Sequence, residues 1–217
     1  MIGFYNYTVI ITYLSLISAG LGMYFSVNGN FKGALVCLLV SGFCDMLDGP
    51  VARTKKRTDS EKKFGIQIDS LCDCVSFCIQ PAVFTVSLAV YANAEGSALT
   101  IAALVVGMAF ALCGVIRLAY FNVTEEERQQ KEGSKLRTGY QGLPVTNASL
   151  IIPLFYLSRF FITGSTLAIV MTVVLGIIAF LFVYNFHMVK LHGKWLIPIG
   201  LLGAALCVGV CFLPTGL

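Results

Sequence analysis

The chain has 217 residues, of which 57% are hydrophobic and 12% charged, and its formal net charge is +4. A soluble domain of this size usually carries about a quarter charged residues. This composition and a mean hydropathy of +0.83 therefore exclude an ordinary soluble protein and favour a bilayer as the solvent. The basic residues lie in short segments between apolar runs, which argues against nucleic-acid binding. The length indicates one integral membrane domain over residues 1–217.

Apolar runs of membrane-spanning length follow one another along the chain. A spanning helix needs about 20 apolar residues. Seven runs meet this condition, at residues 7–27, 31–53, 64–91, 98–122, 143–161, 166–189 and 195–213. We therefore predict an all-α, polytopic transmembrane helix bundle. Only a few residues separate the fifth run from the sixth, so these two should form a tight hairpin.

The connections between the runs differ in charge. Three of them are rich in basic residues: Arg53, Lys55, Lys56, Arg57, Lys62 and Lys63; Arg128, Lys131, Lys135 and Arg137; and Lys190 and Lys194. With seven spans, these three loops share one side of the membrane. Because short basic loops face the cytoplasm, we predict a multi-pass protein of the cell membrane whose N-terminus and basic loops are cytoplasmic.

Four aspartates interrupt the apolar helices: Asp45 and Asp48 in the second run, and Asp69 and Asp73 in the third. An ionised carboxylate at membrane depth is costly, so such residues are expected to be paired or metal-bound. Each pair lies on one helix face, and both pairs flank the same basic loop. Two antiparallel helices can thus gather four carboxylates. Oxygen-only ligands favour Mg²⁺ or Mn²⁺, and two such ions suit phosphoryl chemistry.

The residues around the aspartates suit a phosphate ligand. Gly49, Ala52 and Gly65 remove side-chain bulk, so that a nucleotide can approach the helix backbone. Arg53 offers a planar fork to a diphosphate. A structural alternative is that the aspartates pair with Arg53 or Arg117. Four carboxylates against two arginines would still leave an excess of negative charge.

One motif joins these residues. It reads Asp45-x-x-Asp48-Gly49-x-x-Ala52-Arg53, followed by Gly65-x-x-x-Asp69-x-x-x-Asp73. This pattern resembles the signature of the CDP-alcohol phosphatidyltransferase family. Eleven residues separate Arg53 from Gly65, somewhat more than is usual in that family.

The resemblance implies a fold and a set of roles. The fold is a six-helix core, to which this chain adds a seventh span, and it is often homodimeric with a site open to the cytoplasm. Two metal ions are implied at Asp45, Asp48, Asp69 and Asp73. The CDP group is implied to lie against Asp48, Gly49, Ala52, Arg53, Gly65 and Asp69. Asp73, the last aspartate of the motif, is implied to be the general base.

Longer stretches indicate the acceptor alcohol. Residues 64–82, 117–122 and 142–144 resemble the branch of the family that transfers a phosphatidyl group from CDP-diacylglycerol to L-serine. The carboxylate of serine needs a cation, and Arg117 lies inside an apolar run where an unpaired charge is expensive. We therefore expect Arg117 and Asn122 to bind the acceptor. Pairing of Arg117 with an aspartate, or snorkelling to the interface, stays open.

Two other functions remain as alternatives. The acceptor could be glycerol phosphate, inositol phosphate or choline, although phosphate-bearing acceptors would need more cations than Arg117 supplies. A cation transporter could also carry aspartates in its helices. Transport sites tend to lie near the bilayer midplane, whereas these aspartates adjoin a basic loop. A transporter also leaves the spacing of Gly49, Ala52, Arg53 and Gly65 unexplained.

Overall fold

The helices of the bundle follow the predicted apolar runs. A computed structural model describes residues 7–52, 54–55, 57–92, 98–132, 139–189 and 196–213. The α-helices are α1 (Ile10–Val27), α2 (Phe31–Ala52), α3 (Asp59–Asp73), α4 (Gln80–Ala92), α5 (Ala98–Glu132), α6 (Ala148–Tyr156), α7 (Gly164–Val183) and α8 (Leu196–Cys211). A π-helical segment, Cys74–Ile79, joins α3 to α4. Three 3-10 turns, Tyr7–Val9, Val145–Asn147 and Leu157–Phe160, flank α1 and α6.

Five helices in the described part of the chain are long and apolar enough to cross a membrane. They are α1, α2, the continuous helix Asp59–Ala92, residues Ala98–Arg128 of α5, and α7. These helices correspond to the first, second, third, fourth and sixth predicted runs. The prediction of an all-α polytopic membrane bundle is therefore confirmed.

The fifth and seventh predicted runs form shorter helices than the sequence predicted. In the fifth, α6 has nine residues between two 3-10 turns, and it contains Pro153, which has no N–H to donate to the helix. In the seventh, α8 has 16 residues. At about 1.5 Å per residue it is roughly 24 Å long, whereas the hydrocarbon core is about 30 Å thick. Both helices pack against α2 and against each other.

A short antiparallel ribbon, which the sequence analysis did not predict, lies beside the end of α7. Strand β1 (Gly139–Gln141) pairs with β2 (His187–Val189). The chain then turns at Gly142, whose φ of 73° favours glycine, and the Gly142 N–H donates to the Phe186 carbonyl at 2.7 Å. The ribbon thus ties the α5–α6 connection to the segment after α7, and it sets the course of the chain through Leu143.

Small residues allow the helices to approach closely. A Cβ added at Gly114 of α5 would overlap the side chain of Cys78, and one added at Gly42 of α2 would overlap that of Ser149. Helices in a bilayer gain little by hiding apolar surface from lipid, so close van der Waals contact through small residues is a main source of packing energy. These two contacts bring α5 against the π segment and α6 against α2.

The remaining side chains divide into an aromatic core and an apolar outer surface. Phe84 and Tyr156 meet edge to face with centroids 5.4 Å apart, and Phe110 lies 5.2 Å from Phe182. All four rings are buried. Large apolar side chains of α5 are exposed instead, among them Ile101, Val105, Met108 and Leu112. An apolar exterior of this kind is what a helix presents to lipid tails.

The contact at Gly114 generates a stability prediction. Gly114→Ala should lower the thermal unfolding temperature of the detergent-solubilised protein, because overpacking against Cys78 costs about 1–3 kcal/mol. Gly20→Ala is the matched control, since nothing lies within 4 Å of a Cβ added there. The control should be neutral or stabilising, because alanine favours a helix over glycine. Equal unfolding temperatures for the two variants would contradict the packing described here.

Candidate active site

The cluster of aspartates lies where α2 and α3 come together. Asp45 and Asp48 lie near the C-terminal end of α2, and Asp69 and Asp73 lie near the C-terminal end of α3. One carboxylate oxygen from each of Asp45, Asp48 and Asp69 lies within 4.8 Å of the other two. All four aspartates are half-buried. The structure thus brings together the carboxylates that the helix spacing predicted to meet.

Two contacts between carboxyl groups join the helices. Asp45 is within hydrogen-bonding distance of Asp73, and Asp48 is within hydrogen-bonding distance of Asp69. Like charges this close repel unless a proton or a cation lies between them. Asp73 stands apart from the group of three oxygens and meets the cluster through Asp45. The four carboxylates are therefore not equivalent.

The start of α3 is set by its own sequence. Thr58 is the N-cap: its backbone N–H donates to Glu61 Oε2 at 2.8 Å, and its hydroxyl accepts from the Glu61 N–H at 3.3 Å. This reciprocal pair satisfies two N–H groups that the first turn would leave without partners. Lys55 adds an ion pair to Glu61 at 3.6 Å. The basic loop is thereby held against the first turn of α3.

A buried serine network, which sequence reasoning missed, holds the two acid-bearing helices in register. The Ser15 hydroxyl of α1 lies 3.3 Å from that of Ser76 in the π segment. Ser41 of α2 donates to the Ser15 carbonyl at 3.0 Å. Ser41 is one turn before Asp45, and Ser76 is three residues after Asp73. Serines are common in apolar helices, so their sequence positions gave no signal of this network.

Thr146 is a second residue that sequence reasoning missed. It lies in the 3-10 turn before α6, and its side chain hydrogen-bonds Asp45. The Ser149 hydroxyl donates to the Thr146 carbonyl at 2.7 Å and steadies this turn. The signal available in the sequence was the polar pair Thr146–Asn147 at the start of an apolar run. The turn thus supplies a hydroxyl to the edge of the cluster.

An apolar cavity of about 370 Å³ opens beside Asp45. Its walls come from α2, α6 and α8, and they include Phe43, Leu150 and Ile199. Thr146 lines the same cavity. The cluster therefore has an apolar space directly next to a carboxylate, an arrangement that suits a ligand with both a charged head and an apolar tail.

The other residues of the motif surround the cluster. Gly49 is exposed and Ala52 half-buried at the end of α2. Gly65 is half-buried on α3, one turn before Asp69. Arg53 lies outside the residues that the structure describes. Of the predicted nucleotide ligands, the described ones thus lie near the C-terminal end of α2 and on α3 from its middle toward its C-terminal end.

Arg117 and Asn122 both contact protein groups. Arg117 is 6% exposed, its Nε donates to the Leu143 carbonyl at 3.2 Å, and its guanidinium lies 5.9 Å from the centre of the Phe121 ring. Asn122 donates to the Ser70 hydroxyl at 2.8 Å. Since Ser70 follows Asp69, Asn122 lies close to the cluster. Arg117 is oriented by the backbone just beyond the ribbon.

A second cavity, of about 300 Å³, adjoins Arg117. Tyr120, Gly142, Phe182 and Asn185 also line it. A buried guanidinium beside such a space favours a small anionic ligand, because charge-assisted hydrogen bonds are stronger than neutral ones.

The donor set of the cluster fits a hard divalent cation. Three carboxylates present oxygens within 4.8 Å of one another. Mg²⁺ and Mn²⁺ take oxygen ligands of this kind. A cation would also remove the repulsion among half-buried like charges.

Comparison with known proteins places the chain in a family. A sequence profile described as CDP-alcohol phosphatidyltransferase matches residues 5–184. The chain belongs to this family. The matched range includes all four aspartates, Arg117 and Asn122, and it ends before α8. The residues that meet at the cluster are thus within the family's own region of the chain.

Three similar proteins illustrate the relationship. An archaetidylserine synthase of Methanothermobacter thermautotrophicus is 34% identical over 155 residues, covering 70% of this chain and 58% of that protein. A CDP-diacylglycerol–serine O-phosphatidyltransferase of Saccharomyces cerevisiae is 34% identical over 123 residues, covering 56% and 41%. A protein of the same name from Methanocaldococcus jannaschii is 31% identical over 149 residues, covering 64% and 63%. The chain thus spans between 41% and 63% of the length of these relatives.

The cluster geometry predicts how metal binding should respond to mutation. Asp48→Asn should weaken Mn²⁺ binding by about a hundredfold, since even a group that only orients a ligand contributes about 10–100-fold to metal affinity. Electron paramagnetic resonance of free Mn²⁺ with purified protein would measure this. Asp59→Asn is the control, because the Asp59 side chain is 92% exposed and lies outside the cluster. Equal Mn²⁺ affinity in both variants would contradict a metal site at Asp48.

Proposed function

We propose that this protein transfers the phosphatidyl group of CDP-diacylglycerol to the hydroxyl of L-serine, giving phosphatidylserine and CMP, in a reaction that depends on a divalent metal. The observation that carries the proposal is the convergence of Asp45, Asp48 and Asp69 within 4.8 Å, in a chain of the CDP-alcohol phosphatidyltransferase family. An acidic site of this kind, set beside an apolar cavity, suits a lipid that is activated by a diphosphate.

Serine is the acceptor that the relatives favour. The names of all three relatives above include serine, although they differ in the lipid. The similarity to an archaetidylserine synthase also favours a second candidate donor, an archaetidyl-type CDP-lipid. The headgroup chemistry would be the same for both donors, because the lipid backbone lies on the far side of the reacting phosphorus.

The donor would be held at its charged head and at its tail. Asp48, Gly49, Ala52, Arg53, Gly65 and Asp69 are the proposed CDP-binding residues. The 370 Å³ cavity beside Asp45 would take an apolar chain of the same lipid. Because this cavity lies between α2, α6 and α8, the lipid would reach the cluster from the side of the bundle.

The aspartates would also hold the metal. We propose two ions, Mg²⁺ or Mn²⁺, at Asp45, Asp48, Asp69 and Asp73. Bound there, the ions would neutralise the diphosphate and stabilise the departing CMP. The carboxylates would hold the positive charge of the ions in place before the reaction, so the site would rearrange little during phosphoryl transfer.

Asp73 is the proposed general base. It stands outside the group of three close oxygens and contacts Asp45, which supports a carboxylate oxygen free for proton transfer. Asp73 would accept the proton of the serine hydroxyl. The serine oxygen would form a bond to the lipid-bearing phosphorus, and the bond from that phosphorus to the CMP oxygen would break, so that its electron pair leaves with CMP.

The acceptor would approach from α5. Arg117 would bind the serine carboxylate from the 300 Å³ cavity, and Asn122, which is bonded to Ser70, would lie between that cavity and Asp69. We place the protein in the cell membrane as a homodimer. The site would face the cytoplasm, because the cluster adjoins a basic loop that includes Lys55 and Lys62.

The role of Asp73 predicts a specific loss. Asp73→Asn should lower CMP release from CDP-diacylglycerol and serine by about 10²–10⁴-fold, the usual contribution of a general base. Mn²⁺ affinity should fall by a smaller factor than CMP release, because Asp45, Asp48 and Asp69 would still hold metal. Asp59→Asn, on the same helix, should keep normal turnover. Normal turnover by Asp73→Asn would remove its proposed role, whichever acceptor is used.

The role of Arg117 predicts a split between substrates. Arg117→Ala should raise the KM for serine by about tenfold or more and the KM for CDP-diacylglycerol much less, because a charge-assisted hydrogen bond contributes about 1.5–3 kcal/mol. Arg128→Ala is a control on the same helix, since Arg128 is paired with Glu125 at 2.6 Å. Equal increases in both KM values would favour a purely structural Arg117.

A further inference from the structure

The loop between α2 and α3 carries a cation on the face of α3 that bears the aspartates. Nη1 of Arg57 lies 3.1 Å from the position that a Cβ on Gly65 would occupy. Gly65, Asp69 and Asp73 are spaced four residues apart, so they lie along one side of the helix. The guanidinium is therefore about one turn, roughly 6 Å along the axis, from Asp69. Side chains on a helix tilt toward its N-terminus, which directs the Asp69 carboxylate toward Arg57.

Local contacts fix the backbone beside Arg57. It directly precedes Thr58, the N-cap of α3, and Glu61 engages both the Thr58 N–H and Lys55. Both carboxylate oxygens of Glu61 thus contact other partners. Within the part of the chain that the structure describes, no ion pair joins Arg57 to a carboxylate. A half-buried guanidinium beside an acidic cluster is therefore left without an anion of its own.

The charge of the proposed donor supplies that anion. A CDP-lipid brings a diphosphate to a site that already contains four carboxylates, so cations on the outer side of the site would favour its binding. A guanidinium matches phosphate oxygens with two parallel hydrogen bonds. Gly65 matters for the approach, because a Cβ there would lie 3.1 Å from Nη1 of Arg57, and the guanidinium would have to shift by a few tenths of an ångström to make room for it.

We propose that Arg57 binds the diphosphate of the CDP-activated lipid, and that Gly65 serves this contact by letting the guanidinium lie against α3. The proposal rests on the proposed function for its ligand. In this proposal Gly65 contributes to CDP binding through Arg57, in place of a direct contact of Gly65 with the nucleotide.

Kinetics with single variants test the assignment of Arg57. Arg57→Ala should raise the KM for CDP-diacylglycerol by about tenfold or more and leave the KM for serine within about twofold. Lys62→Ala is the matched control, because it removes the same charge from the same region while Lys62 is 54% exposed and paired with Asp59 at 3.1 Å. If Arg57→Ala behaves like Lys62→Ala, or raises both KM values equally, Arg57 does not bind the diphosphate.

A double-mutant cycle tests the assignment of Gly65. Gly65→Ala should raise the KM for CDP-diacylglycerol in the wild-type background. In the Arg57→Ala background it should add little, because the contact that it disturbs is already gone. Multiplicative losses in the double variant would overturn the role given to Gly65 and favour direct approach of the nucleotide to the helix backbone.

Binding without turnover separates this inference from the proposed function. Titration calorimetry with CDP and Mn²⁺ needs no acceptor, and size-exclusion profiles of each variant check that it is folded. Weaker CDP binding by Arg57→Ala supports the inference even if serine proves to be the wrong acceptor. Unchanged CDP binding would overturn the inference, whereas CMP release by the wild-type protein would then still support the proposed function.

Discussion

Repulsion among four half-buried carboxylates is the constraint that the rest of the structure answers. Asp45 and Asp48 on α2 face Asp69 and Asp73 on α3, and this contact does not stabilise the pair of helices unless a proton or a cation lies between the carboxylates. The surrounding structure must therefore hold α2 and α3 together by other means. The serine network that links α1, α2 and the π segment supplies neutral hydrogen bonds one turn deeper in the bundle. These neutral hydrogen bonds thus keep α2 and the π segment in register away from the charged cluster.

One side of the cluster is apolar and the other is basic, which matches the apolar tail and the charged head of the proposed lipid donor. Toward α6 and α8, Asp45 adjoins an apolar cavity. Toward the start of α3, the cluster adjoins a loop that includes Lys55 and Arg57. An amphipathic molecule can satisfy both sides only in one orientation, with its tail between helices and its phosphates near the loop. The apolar cavity on one side and the basic loop on the other would then orient the reacting phosphorus, and few specific contacts would be needed.

The parts of this site that the sequence predicted are those in which local spacing decides the geometry. The helical repeat alone places Asp45 and Asp48 on one helix face, and likewise Asp69 and Asp73. The spanning helices are predicted by hydropathy over about 20 residues. The contact of Thr146 with Asp45 and that of Arg57 with Gly65 depend on how loops fold. Strands of three residues, such as β1, carry no recognisable period. The 3-10 turns at both ends of α6 limit it to nine residues, which hydropathy could not anticipate.

The π segment Cys74–Ile79 has a consequence for how the long helix can vary. A π turn takes up one residue more than an α turn, so residues beyond Ile79 are rotated by about 100° relative to a continuous α-helix. Asp73 contacts Asp45 of α2, and Gln80, seven residues later, donates to the Ala34 carbonyl of the same helix at 3.0 Å. The π segment therefore lies between two contacts with α2. An insertion or deletion within Cys74–Ile79 would turn one of these contacts away from α2, whereas substitutions that keep the π turn would leave both in place.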